Sequence, residues 1–125
     1  MHRDIKCANI LIDSNAKIKI SDFGAARWVE GNVDGGFDHQ ECKSWKGTPF
    51  FLAPELVTRE RHSYPADIWS IGCIALEMLC KRPPWSDITT KPKRVMELIG
   101  STDQYPNYPS GISQECYDFI FNACL

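Results

Sequence analysis

At 125 residues the chain has the size of one ordinary domain and no room for a second of full size. Its 14 Lys and Arg against 16 Asp and Glu give a formal charge of −2. The basic residues are scattered, which argues against nucleic acid or an anionic membrane as partner, and Lys91, Lys93 and Arg94 read as a solvated helix start. The first stretch, His2-Arg3-Asp4-Ile5-Lys6-Cys7-Ala8-Asn9, is followed after a short interval by Ser21-Asp22-Phe23-Gly24. Asp4, Lys6, Asn9 and Asp22 put two carboxylates, an ammonium and an amide within about twenty residues, the ingredients for steering a hydroxyl and holding a divalent metal beside phosphate.

Between these motifs, Ile10-Leu11-Ile12, a turn cluster at Asp13-Ser14-Asn15-Ala16 and the alternating Lys17-Ile18-Lys19-Ile20 predict a β-hairpin over residues 10–20. Such a hairpin holds the Asp4/Asn9 loop at its start near Asp22 at its end. From Ala25 to Phe51 glycines, acids and isolated aromatics show no period of 2 or 3.6, which predicts a long irregular loop, in a compact domain usually a functional or disordered one. Pro54-Glu55-Leu56-Val57 can open a short helix. A long helix from about Pro65 to Leu79 carries Ile68, Ile71, Ala75 and Met78/Leu79 on one face and further apolar residues elsewhere, so it is expected to be buried nearly all round. Lys81-Arg82-Pro83-Pro84-Trp85 stops it, since neither proline can continue the ladder. A helix over Lys93 to Ile99, ending at Gly100, and a last one capped by Ser113 complete the elements.

His2-Arg3-Asp4 with Asn9, then Asp22-Phe23-Gly24, then Ala53-Pro54-Glu55 resemble the catalytic loop, metal-binding loop and segment-closing motif of the eukaryotic protein kinases. The resemblance implies an α+β parent fold. This chain would be a mostly α-helical C-lobe fragment of it: catalytic loop 2–9, hairpin 10–20, activation segment 22–55 and helices over 56–125. It implies ATP and Mg2+ as cofactors, with Asp4 orienting the acceptor hydroxyl, Lys6 beside the transferred phosphate, and Asn9 and Asp22 on the metal. Lys6 and Thr48 match the serine/threonine rather than the tyrosine pattern, so the implied partners are protein substrates with Ser or Thr acceptors. Arg3 suggests regulation by an upstream activating kinase, with Ser44 as the phosphosite and Ser21 and Thr48 as lesser candidates. Phe23 would pack into the lobe interior while Gly24 permits a backbone flip. Asp67 would accept hydrogen bonds from the catalytic-loop backbone.

The runs Gly47 to Glu55 and Ala66 to Cys73 are similar to the mitogen-activated protein kinase kinase kinases and their relatives, with Phe51-Leu52 where that group commonly carries Trp-Met. The glycine-rich loop, strand lysine and helix glutamate of the family's N-lobe are absent from these residues. So is the arginine that would pair with Glu55. The resulting expectation is a signalling serine/threonine kinase represented by a fragment that is inactive alone; the alternative is a non-catalytic truncated kinase acting as a binding decoy. Six cysteines without Cys-x-x-Cys spacing read as reduced buried thiols, and Ile68 to Leu79 is too short to span a bilayer. With no secretory signal ahead of the motif, the cytoplasm is the expected compartment and the nucleus the second.

Overall fold

Aspartate chemistry sets the turn of the hairpin. Asp13 Oδ1 accepts the backbone N–H of Asn15 at 2.8 Å and of Lys17 at 3.0 Å, an Asx turn that reverses the backbone with Ala16 in the left-handed region. The flanking residues pair as an antiparallel ladder, β1 (Ile10–Ile12) against β2 (Ile18–Ile20), with Ile10 opposite Ile20 and Ile12 opposite Ile18. The computed structural model describes residues 1–28, 47–58, 64–101 and 105–124. Most of the irregular stretch read after Ala25, Ser44 included, lies outside them.

Four α-helices follow among the described residues: α1 (Pro54–Val57), α2 (Pro65–Cys80), α3 (Pro92–Gly100) and α4 (Gln114–Ala123). Three begin with proline, whose missing N–H is one the first turn leaves unpaired in any case. α4 begins at Ser113, whose side chain accepts the N–H of Cys116 at 3.3 Å. The stop of α2 differs in mechanism from the expected one. Lys81 takes a left-handed conformation (φ 56°) and returns its N–H to Glu77 O at 2.8 Å, so the helix has ended before Pro83 is reached.

The core gathers around α2, which packs against α4 and against the 3₁₀ turn Pro49–Phe51. Trp69, Cys73 and Leu76 of α2, Val95 and Ile99 of α3, Ile120 of α4, and Trp85 are buried together with Ile5 and Leu52. α2 is not buried all round. Ile68, Met78 and Leu79, on the face marked by spacing, are 49%, 66% and 40% exposed, whereas Ala66, Trp69, Ser70 and Cys73 turn inward. An all-round apolar helix does not reveal which side its neighbours take; here α4 and the 3₁₀ turn take the Trp69/Cys73 side. Contact with α4 requires Gly72, where a Cβ would stand 2.6 Å from Cys124 Sγ and 3.0 Å from Ala123 Cβ. Cys7, Cys73, Cys80, Cys116 and Cys124 are free thiols. Ser70 Oγ reaches Phe51 O at 2.8 Å and so ties the 3₁₀ turn to the helix. No helix among the described residues is long and apolar enough to cross a membrane.

Candidate active site

The loop before β1 is hung on α2 by one carboxylate. Asp67 Oδ2 accepts the N–H of His2 at 2.7 Å and Oδ1 that of Arg3 at 2.9 Å. Both donors belong to a tight turn with Arg3 at φ 68°, a conformation in which a non-glycine residue is strained and needs such support. Gly47 fits against this turn: a Cβ there would come within 3.0 Å of Arg3 O. His2 is buried and spans two loops. Its Nδ1 accepts the N–H of Asp4 at 3.3 Å while Nε2 lies 3.0 Å from Ser21 O, a pair of bonds satisfied together by the tautomer protonated on Nε2.

Asp4, Lys6 and Thr48 close into a triangle. Lys6 Nζ donates to Asp4 Oδ2 at 2.8 Å and to Thr48 Oγ1 at 3.0 Å, and Thr48 Oγ1 donates to Asp4 Oδ1 at 3.1 Å. The Asp4 and Lys6 side chains are 16% and 26% exposed, buried enough to hold one geometry and open enough to meet a substrate. Asn9 Nδ2 donates to Asp4 O at 2.9 Å, which fixes the amide with its donor end toward the loop and leaves its oxygen as the end for a cation. A shallow cleft beside the triangle is lined by Asp4, Thr48, Leu52, Asp67 and Ser70.

On the far side of the hairpin, Asp22 is exposed and left-handed (φ 62°), with Oδ1 accepting the N–H of Gly24 at 3.3 Å. The strained backbone therefore falls on Asp22 rather than Gly24. Glycine serves here by approach, since a Cβ at Gly24 would lie 3.1 Å from Asp22 Oδ1. Phe23 does not enter the interior. It is 63% exposed and packs edge-to-face with the His2 ring at a centroid distance of 4.9 Å. Arg3 Nε donates to Ala25 O at 2.6 Å and so draws the segment after Asp22 against the first loop. Glu55 lies in the first turn of α1 and is engaged in an interaction of its own, so the expected loss of its partner does not leave it unpaired.

An amide oxygen at Asn9 and a carboxylate at Asp22 are hard donors of the kind Mg2+ accepts. That ion is ordinarily held by one or two carboxylates and completed by water and phosphate oxygens. Among the described residues no three His, Cys, Asp or Glu side chains gather into a group that could hold a metal ion. Burial, with Glu77 beside it, pushes the Cys7 thiol up to about 12, which disfavours its thiolate. Sequence reasoning missed the bridging roles of His2 and Ser21. Their places in the sequence, His2 two residues before Asp4 and Ser21 next to Asp22, were the available signal.

A family model described as protein kinase domain matches residues 1–125. Over 125 residues the chain is 45% identical to mitogen-activated protein kinase kinase kinase A of Dictyostelium discoideum, covering 100% of this chain and 12% of that protein. It is 43% identical over 127 residues to mitogen-activated protein kinase kinase kinase 3 of Arabidopsis thaliana, covering 100% of this chain and 18% of that one. Mitogen-activated protein kinase kinase kinase 18 of the same plant is 35% identical over 125 residues, 99% of this chain and 34% of its own length.

Proposed function

Because the chain belongs to the protein kinase domain family, we propose that the protein built around it transfers the terminal phosphate of ATP to serine or threonine hydroxyls of a protein substrate. The observation that carries this reading is the closed Asp4–Lys6–Thr48 triangle. Asp4 is held with its carboxylate toward the cleft, where it can accept or orient the proton of an incoming hydroxyl. Lys6 places a positive charge beside the group in transfer, and Thr48 holds the second Asp4 oxygen while shaping a site for a short aliphatic alcohol. Asn9 and Asp22 would hold Mg2+, whose charge offsets that developing on the phosphoryl oxygens. Asp67 keeps the loop from relaxing out of its strained turn.

The relatives' names describe kinases of kinases of mitogen-activated protein kinases. We accordingly place this protein in a cytoplasmic signalling cascade, with a protein kinase as substrate and an upstream kinase acting on Ser44 to draw the activation segment onto Arg3. The unbroken set of Asp4, Asn9 and Asp22 supports catalysis over the decoy reading. The test uses the complete polypeptide that carries this chain, with labelled ATP, Mg2+ and a kinase-dead protein kinase as acceptor. Label on serine or threonine that disappears with Asp4→Asn is the expected result. No transfer, or transfer indifferent to Asp4→Asn, overturns the proposal.

A further inference from the structure

Three hydrogen bonds between the two motif loops converge on Ser21. Its N–H donates to Asn9 O at 2.9 Å, which carries the β1/β2 ladder one residue beyond the Ile10–Ile20 pair. Its hydroxyl donates to the same oxygen at 3.0 Å, a second donor for the carbonyl's second lone pair. Its own carbonyl meets His2 Nε2 at 3.0 Å. The next residue, Asp22, leaves the extended conformation for φ 62°, so Ser21 is the last fixed point before the backbone turns. We infer that the Ser21 hydroxyl is a positioning group for Asn9 and Asp22, setting the separation at which these two residues take a divalent cation together with nucleotide phosphate.

The division of labour around it supports that role. Asn9 is held by its side chain through Asp4 O and by its main chain through Ser21. Asp22 is held by its side chain through Gly24 N and by its main chain through the bonds of its neighbour Ser21. Any residue but proline could supply the ladder N–H at this position. Only a hydroxyl adds the second bond, and it does so at a half-buried site beside the sharp turn. A spectator serine would turn its hydroxyl to water; this one is spent on the main chain of a candidate metal-holding residue.

The inference rests on the reading of Asn9 and Asp22 as the metal-holding pair, and the experiment separates the two. The complete polypeptide carrying this chain is saturated with a non-hydrolysable ATP analogue and titrated with Mn2+, free Mn2+ being read by electron paramagnetic resonance. Ser21→Thr and Ser21→Val have the same shape and differ in the hydroxyl, so steric cost is common to both. Partners that orient metal ligands typically govern affinity by 10–100-fold, so Ser21→Val is expected to bind Mn2+ about tenfold more weakly than Ser21→Thr. Ser21→Val should melt only a few degrees below Ser21→Thr, the loss expected of one part-buried hydrogen bond. Ser21→Ala against wild type repeats the comparison if the branched variants do not fold. Equal Mn2+ affinity within the pair, with Asp22→Asn still impaired, overturns the inference and leaves the site reading intact. Wild type that binds no Mn2+, or Asp22→Asn that binds it normally, overturns both.

Discussion

Asp13 and Asp67 perform the same chemistry in opposite settings. Each carboxylate accepts two backbone N–H bonds at 2.7–3.0 Å. Asp13 accepts from residues two and four positions along the chain, at an exposed turn; Asp67 accepts from residues 65 and 64 positions away, at a part-buried junction. The first costs the folding chain little, because a short loop closes cheaply, and it constrains little beyond its own hairpin. The second can form only after α2 and the loop before β1 have met, and it fixes the turn from which Asp4 projects. Identical bonds thus stabilise a local shape in one region and assemble the candidate site in the other.

The largest expected effect comes from breaking the second of these. Asp67→Ala leaves two part-buried donors without an acceptor, at about 1–3 kcal/mol each, so urea denaturation of the complete protein should show a loss of about 2–6 kcal/mol. Asp67→Asn, which keeps one acceptor oxygen, should fall between. Next comes Asp4, where the cost should lie in chemistry and not in stability. Asp4→Asn preserves shape, and kcat is expected to drop about 10²–10⁴-fold, the usual contribution of a positioned general base, while the affinity for an ATP analogue is unchanged. Parallel losses in kcat and in urea midpoint would mean that Asp4, like Asp67, is chiefly architectural.

A third prediction concerns the acceptor. On the proposed reading Thr48 and Lys6 frame a site for a short hydroxyl, and a tyrosine ring would carry its oxygen past the near-attack distance of about 3–3.5 Å. Serine or threonine peptides should be preferred over matched tyrosine peptides by at least about a hundredfold in kcat/KM, roughly 2.7 kcal/mol. Comparable values would show that the triangle opens more widely than its three hydrogen bonds suggest.

The contrast between the two aspartates also explains what the sequence disclosed. The hairpin was legible because Asp13-Ser14-Asn15-Ala16 carries its own instructions, and so was the start of α4, since Ser113 meets its donor three residues on. α2 was legible as a helix but not in its orientation, because Ile68, Met78 and Leu79 are as apolar as the residues that α4 and the 3₁₀ turn cover. Phe23 was misplaced inward for a related reason: its neighbour is His2, 21 residues back, and no local pattern specifies that contact. The stop at Lys81 was hidden because a left-handed lysine has no sequence signature of its own, while Pro83 offered an obvious but later one. Asp4, Asn9 and Asp22 were singled out through motif resemblance, and the bonds that Asp67 and Ser21 make to the loops carrying them join residues distant in the chain.

The smallest effect tests the local member of the comparison. The N–H groups of Lys17 and Asn15 hold the Asp13 carboxyl below its ordinary value of 3.8, and Lys19 Nζ stands 3.6 Å away. A carboxyl whose folded value is depressed contributes stability above its unfolded value and loses that contribution as pH falls through the folded one. The Asx turn should therefore be at full strength above pH 3.8 and weaken on acidification below it. Amide hydrogen exchange at Asn15 and Lys17 is the readout. Wild type should be better protected than Asp13→Asn near neutral pH, and the two should converge in acid, because a protonated aspartate and an asparagine offer similar neutral acceptors. Protection near Asp4 should be indifferent to Asp13 throughout. If Asp13→Asn also loosens the Asp4 loop, the hairpin is part of the site's scaffold after all, and the two aspartates differ in distance along the chain but not in consequence.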